Sequence, residues 1–445
     1  MADTLRPFTD AMTGCYAVSF GVVNECLMLG NQPIGQHDDA MDRLRDSGAS
    51  NFVKNAAHNS NLTFNVENAT PSYMPRPLVA RIHLSAMEHN LAIARKHNPS
   101  SNLWAIVKAD GYGHGLERSM RGFKSADGLA VIEIDDALKL RECGWQKPIL
   151  LLEGFGSSAD LDLTMRHNFC AVIHCAEQIE VLEKTTGTLK SSATLNVYLK
   201  INTGLNRLGF HFEHAASAHA RLKRLPTVRC ITLMTHFANS YAVSDTHPGI
   251  SVAAQVKRFR AVAEGLGGEC SLSDSAMVLK DRNADANWVR PGVMLYGATC
   301  FPGIKASSLD LLPAMTLESE IIGIQQIETG DSVGYGSRFI APKAMKIGVV
   351  ACGYTNGYPR SAQDGAPVLV EGIKTGLVGR VSMDKLTVDL TDIPGAKVGS
   401  KVTLWGIGLP IEEVADAANT ICCELMCGLS NRVPVIEEIA PSPEG

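Results

Sequence analysis

Charge of one sign is what this 445-residue sequence lacks: 41 lysines and arginines stand against 46 aspartates and glutamates, a net charge of −5. Without a basic field the chain has little to grip a phosphate backbone with, so nucleic acid is not an expected partner. Long apolar runs are missing too. The most apolar N-terminal stretch, Cys15 to Gly30, is broken by Asn24 and Glu25, and neither a basic segment nor an A-x-A cleavage site frames it. It reads as neither a signal peptide nor a membrane span. The twelve cysteines contain no CxxC step. Scattered through apolar runs, they read as small hydrophobes, and Cys422, Cys423 and Cys427 have no nearby histidine to complete a metal site. No metal is expected, and a reducing cytoplasm is the expected location. No GxGxxG follows the first strand, which removes support for a nucleotide-binding doubly wound sheet.

What is present is ordinary globular composition, 45% apolar and 20% charged, at a length that suggests two or three domains. Residues 1–73 show no sustained period, and Asn51, Asn55, Asn59, Asn61, Asn65 and Asn68 crowd one stretch. This reads as a poorly ordered extension, with Met74 as the expected natural start. After it, PRPLVARIH gives a strand-like run followed by a helix, with Ser85 as the expected cap.

Eight continuous apolar runs then alternate with helical segments: LWAIV from 103, LAVIEI from 129, ILLL from 149, CAVI from 170, LNVYLKI from 195, VRCITLM from 228, ECSL from 269 and WVRPGVML from 288. Continuous hydrophobicity marks strands buried on both faces, and stretches such as DDALKLREC have helical spacing between them. Eight such cycles predict an α/β fold, a (β/α)8 TIM-type barrel over 74–309. Beyond 310 the period drops to two in LESEIIGIQQIETGD, KIGVVACGY and LTVDL. A β-rich C-terminal domain is therefore expected over 310–445.

In such a barrel, residues just after the strands face the site. Lys108 stands there, after the buried run Ala105 to Val107 and before a tight turn from Ala109 to Gly115. A lysine among apolar neighbours has its charged form disfavoured and is readier for Schiff-base chemistry.

The segment Ala105 to Gly115, AIVKADGYGHG, resembles the cofactor-lysine segment of the alanine racemases. Seven further segments resemble that family in order: KINTGLNRLGF from 200, MTHFA from 234, SDSA from 273, VRPGVMLYG from 289, VGYGS from 333, GYTNGYPR from 353 and GRVSMD from 379. The resemblance implies a barrel that binds pyridoxal 5'-phosphate, followed by a β domain, and an enzyme that interconverts L- and D-alanine for peptidoglycan. It implies Lys108 as the cofactor's covalent partner and as acid and base on one face of the substrate Cα, with Tyr335 as base on the other. Inversion needs two groups because a planar carbanion is reprotonated efficiently on the second face only by a donor standing there. A tyrosine, ordinarily near pKa 10, must be activated to serve.

The same resemblance implies that Arg290 faces the pyridine nitrogen, where an arginine can only donate. It assigns the phosphate to Ser275, Gly292 and the Val293 amide, with Tyr112 reaching over, and packs His236 against the ring. Arg207 would orient cofactor and substrate, and Lys200 matches a lysine that is carbamylated in many members; a carbamate there is an anion able to hold Arg207. Met383 and Asp384 match the segment that receives the substrate carboxylate, and Tyr354 matches an entryway tyrosine. Because that segment and the tyrosine base serve the other subunit's lysine, a homodimer with shared sites is implied. Three positions depart from the usual pattern: Asn202 for aspartate, Asp274 for a neutral residue before the phosphate serine, and Asn431 where some members have a tyrosine. Alternatives are a racemase of broader range or for serine, a barrel-fold decarboxylase, and a non-catalytic pyridoxal-phosphate carrier. The VGYGS tyrosine argues against the decarboxylase. The second domain and Tyr335 are unnecessary for carriage.

Overall fold

The computed structural model describes residues 76–185, 194–242, 251–280 and 286–438. The extension read for residues 1–73 and the start at Met74 lie outside them. Eight parallel strands close a barrel: Asn102–Ile106, Gly128–Val131, Ile149–Leu151, Cys170–Ile173, Leu195–Asn202, Val228–Met234, Cys270–Ser271 and Trp288–Val289. Each pairs in parallel with the next, and Trp288–Val289 returns to Asn102–Ile106 to close the ring. These are the eight apolar runs. Their lack of alternation has a direct cause: Trp104 and Ile106 point into the barrel with Ala130, Leu150, Val172 and Tyr198. Leu103 and Ala105 face the helices instead. Both faces are dry. Inside, Trp104 stacks on Trp288 at 4.5 Å between ring centroids and donates its Nε1–H to the Tyr198 hydroxyl at 3.1 Å. The barrel is thus plugged by aromatic rings beneath its C-terminal mouth.

The second sheet is built on the long strand Met315–Ile327, which pairs antiparallel with Met345–Val350 and Lys401–Trp405. It also pairs antiparallel with Val79–His83, which in turn runs parallel to Val435–Glu438. The chain therefore contributes its first described strand to the β domain's sheet before entering the barrel. That pairing changes how the first helix starts. The helix Leu84–His97 begins one residue before Ser85, with His83 at the cap position and no side-chain capping bond. The His83 amide is bonded to the Ala314 carbonyl at 2.9 Å and its ring lies 2.9 Å from the Thr316 hydroxyl. Sheet pairing holds the chain extended up to His83, so the turn starts there and Ser85 falls inside it.

Candidate active site

The strand Asn102–Ile106 delivers Lys108 to the barrel mouth through Val107, whose amide is held by the Ala130 carbonyl at 2.9 Å. After Lys108 the backbone does something the sequence gives little sign of. Ala109, Asp110, Gly111 and Tyr112 all have positive φ, at 54°, 51°, 61° and 51°. Three of these are not glycine, and each costs on the order of 1 kcal/mol in the left-handed region. Several contacts offset that cost. The Asp110 carboxylate accepts from the Leu116 amide at 2.7 Å and its carbonyl from the Gly115 amide at 2.8 Å. His114 Nδ1 lies 3.1 Å from the Gly111 carbonyl and 2.9 Å from that of Tyr112. Facing two acceptors, Nδ1 carries the proton. Tyr296 stacks on Tyr112 at 4.8 Å, lies tilted against His114 at 4.6 Å, and its hydroxyl donates to the Ile106 carbonyl at 3.0 Å. Neither His114 nor Tyr296 stands out in the sequence as a supporting residue. Both lie inside quoted motifs, but their packing becomes visible only in three dimensions.

Lys108 opens into a cavity of about 520 Å³ that it shares with Lys200, Arg207, His236, Ser275 and Arg290. Tyr112, Gly292 and Val293 line the same space. Nine of the residues singled out from the sequence are thus brought together. At one end, Ser275 Oγ accepts from the Gly292 amide at 2.8 Å. A Cβ on Gly292 would come within 2.6 Å of the Tyr112 hydroxyl. Serine, glycine backbone and tyrosine hydroxyl form a small polar cradle with no side chain at 292 to fill it, which suits a phosphate. Burial pushes the Tyr112 hydroxyl pKa upward, so that hydroxyl is a donor at neutral pH.

Cations dominate the rest of the wall. Arg290 is buried and donates to the Ser271 hydroxyl at 2.7 Å, the Thr235 carbonyl at 2.6 Å and the Leu272 carbonyl at 3.3 Å. Burial lowers it to about 10, still a cation near neutrality. Lys200 is lowered to about 8, by burial first and then by Arg290 and Arg207. His236 is lowered to about 4, by burial against the opposing pull of Asp274, with Arg290, Lys200 and Arg207 adding to the decrease. Its imidazole is neutral at pH 7 and packs as an uncharged ring. Of the departures, Asn202 has a clear local use: its Oδ1 accepts from the Gly204 and Asn206 amides at 3.1 and 3.0 Å, shaping the loop that presents Arg207.

Tyr335, Tyr354 and Met383 do not line this cavity. They are 72%, 38% and 54% exposed on the β domain. There they lie on adjoining segments. The Tyr354 amide donates to the Ser382 carbonyl at 3.1 Å, and Thr355 gives both its amide (3.0 Å) and its hydroxyl (2.9 Å) to the Met383 carbonyl. The Thr355 hydroxyl also lies 2.8 Å from the Asp384 carboxylate. A Cβ on Gly334 would lie 3.2 Å from the Arg380 amide, so the turn carrying Tyr335 sits against the segment leading to Met383. The residues read from the sequence thus fall into two groups, one lining the barrel mouth and one exposed on the β domain.

Residues 82–300 match the family described as alanine racemase, N-terminal domain, and residues 314–437 match alanine racemase, C-terminal domain. The chain is 53% identical over 365 residues to an alanine racemase of Janthinobacterium sp. (strain Marseille), covering 82% of this chain and 99% of that protein. It is 50% identical over 372 residues to an alanine racemase of Polaromonas naphthalenivorans (strain CJ2), covering 81% and 99%. Among solved structures, it is similar to the biosynthetic alanine racemase of Pseudomonas aeruginosa at 40% identity, with a TM-score of 0.78 and coverage of 82% and 100%.

Proposed function

The chain belongs to the alanine racemase family and interconverts L- and D-alanine, and we propose that it does so with pyridoxal 5'-phosphate carried on Lys108 and a second base, Tyr335, from a partner subunit. The observation that carries this reading is the split between the two groups. Lys108 shares its cavity with the polar cradle, whereas Tyr335 stands 72% exposed on the other domain. An exposed base has use only if a second copy of the chain brings it to the cavity, which makes the working unit a homodimer.

When bound, the cofactor supplies a carbonyl for the substrate amine and a ring that takes up the electron pair left when the Cα proton departs. The protein supplies the rest. Ser275, Gly292, the Val293 amide and Tyr112 would hold the phosphate. His236 would supply a neutral ring to the cofactor's own, and Arg290, a donor only, would leave the ring nitrogen without a proton. Lys108 Nζ takes or returns the Cα proton on one face, and Tyr335 Oη does the same on the other. Arg207 orients cofactor and substrate, the Met383 segment receives the substrate carboxylate, and Tyr354 narrows the entry. Lys200 carries a carbamate that pairs with Arg207: an amine lowered to about 8 keeps a neutral fraction able to attack carbon dioxide. The D-alanine serves peptidoglycan, and the enzyme works in the cytoplasm. Free cysteines at ten described positions suit a reducing compartment, and among the described residues no helix is long and apolar enough to cross a membrane.

Chiral analysis after incubating the purified protein with each L-amino acid in turn tests this reading. D-alanine is the expected dominant product, and cofactor-independent activity would overturn the cofactor assignment.

A further inference from the structure

Asp274 is a carboxylate placed directly before the phosphate-cradle residue Ser275, and it lines the same cavity. A fixed negative charge there opposes a bound phosphate. Its orientation moderates the conflict. Oδ1 accepts from the Met277 amide at 3.1 Å, capping the short helix Ser275–Leu279. Oδ2 accepts from the Ser240 hydroxyl at 2.7 Å and lies 4.0 Å from His236 Nδ1. Both oxygens are therefore engaged, Oδ1 by the Met277 amide and Oδ2 on the side of Ser240 and His236, while Ser275 turns its own hydroxyl to the Gly292 amide. The donor is itself fixed. Ser240 is buried, and Lys280 Nζ donates to the carbonyls of Ser240 at 3.0 Å and Ala242 at 2.9 Å, holding the loop that carries the hydroxyl.

Resting on the cofactor reading above, we propose that Asp274 is a positioning residue that sets cofactor affinity, with Ser240 restraining its charge away from the phosphate cradle. The carboxylate lowers affinity by its charge, and the Ser240 bond limits how much. Asparagine in its place would keep the helix cap through Oδ1 and turn its amide N–H toward the Ser240 hydroxyl oxygen, reversing the direction of that bond while removing the charge. Alanine at 240 would release Oδ2 and let the carboxylate turn toward the phosphate. The two changes are thus coupled through one charge.

The test is equilibrium titration of the full chain, freed of cofactor beforehand, against a series of pyridoxal 5'-phosphate concentrations, read by the absorbance of bound cofactor rather than by turnover. D274N is expected to lower the dissociation constant about three- to tenfold, as removal of one nearby charge should. S240A is expected to raise it by a similar factor, and to have no effect in the D274N background. An unchanged or raised constant in D274N, or an S240A effect of equal size in both backgrounds, would overturn the inference. If the unaltered chain takes up no pyridoxal 5'-phosphate, the cofactor reading falls with it; normal uptake with an unresponsive D274N sinks only the role given to Asp274.

Discussion

The Tyr112 hydroxyl occupies the space where a side chain on residue 292 would begin, 2.6 Å from a Cβ built there. Tyr112 cannot easily retreat, because its ring is stacked on the buried Tyr296 and its backbone is part of the left-handed turn after Lys108. Gly292→Ala is therefore expected to displace the hydroxyl rather than be accommodated. Cofactor affinity should fall about tenfold or more, the scale of one lost charge-assisted hydrogen bond, while far-ultraviolet circular dichroism stays unchanged. Cofactor titration of the variant gives the answer, and an unaltered dissociation constant would remove Tyr112 from the phosphate site.

Lys108→Ala removes the only lysine that opens the left-handed turn at the barrel mouth. Covalent attachment of the cofactor should be lost, and with it the near-visible absorbance of the bound form. Borohydride reduction followed by peptide mapping should tag Lys108 in the unaltered chain alone. Persistence of the band in the variant would show that another amine holds the cofactor.

Tyr335→Phe separates the two bases. The exposed ring leaves the cavity wall untouched, so cofactor absorbance should persist while racemisation falls about a hundred- to ten-thousandfold, the range for one lost acid–base group. Solvent deuterium should still exchange into the enantiomer served by Lys108. Mixing Lys108→Ala and Tyr335→Phe chains and allowing subunits to exchange should restore part of the activity, because one site in each mixed dimer has both groups. No restoration would argue against shared sites.

The barrel was legible in the sequence because its strands are dry on both faces. Runs such as Cys170–Ile173 have no polar residue to obscure them, and every one of the eight appears as a strand. The role of Val79–His83 was not legible, since its hydrophobicity suits a barrel strand as well as the β-domain sheet it joins. The left-handed turn was hidden for a related reason: Ala109 and Asp110 carry no local preference for positive φ strong enough to read, and of the groups that hold it, Tyr296 comes from far along the chain. Asp274 looked like a conflict with phosphate. Its resolution depends on Ser240, 34 positions away.

Lys200 offers a chemical test. Burial and the neighbouring Arg290 and Arg207 lower it to about 8, so its neutral fraction rises as pH climbs toward that value and attack on carbon dioxide becomes easier. Protein equilibrated with carbon-13-labelled bicarbonate should show a carbamate carbonyl resonance, lost in Lys200→Ala and discharged by acid. The variant should also weaken substrate binding about tenfold through an unheld Arg207. Absence of the resonance at pH 8 would leave Lys200 an ordinary buried amine.

Stability should fall on acidification for a reason located in two histidines. His114 is fully buried, with Nε2 lacking a hydrogen-bond partner, and His236 is half-buried in the cavity wall; burial lowers both to about 4 from the usual 6.5. Between those values the unfolded chain binds protons that the folded chain refuses. Stability is therefore retained above about 6.5 and declines as pH falls toward 4. The maximum loss from the fully buried His114 is about 3 kcal/mol, and the partly exposed His236 adds less because solvent screens it. Urea midpoints measured from pH 7 to pH 4 should trace this decline. His114→Gln cannot titrate and should flatten the slope in that window, though its absolute stability at pH 7 falls through loss of the ring contact with Tyr296. An unchanged slope would mean that His114 does not refuse the proton, and the neutral ring holding the turn beneath Lys108 would have to be reassigned.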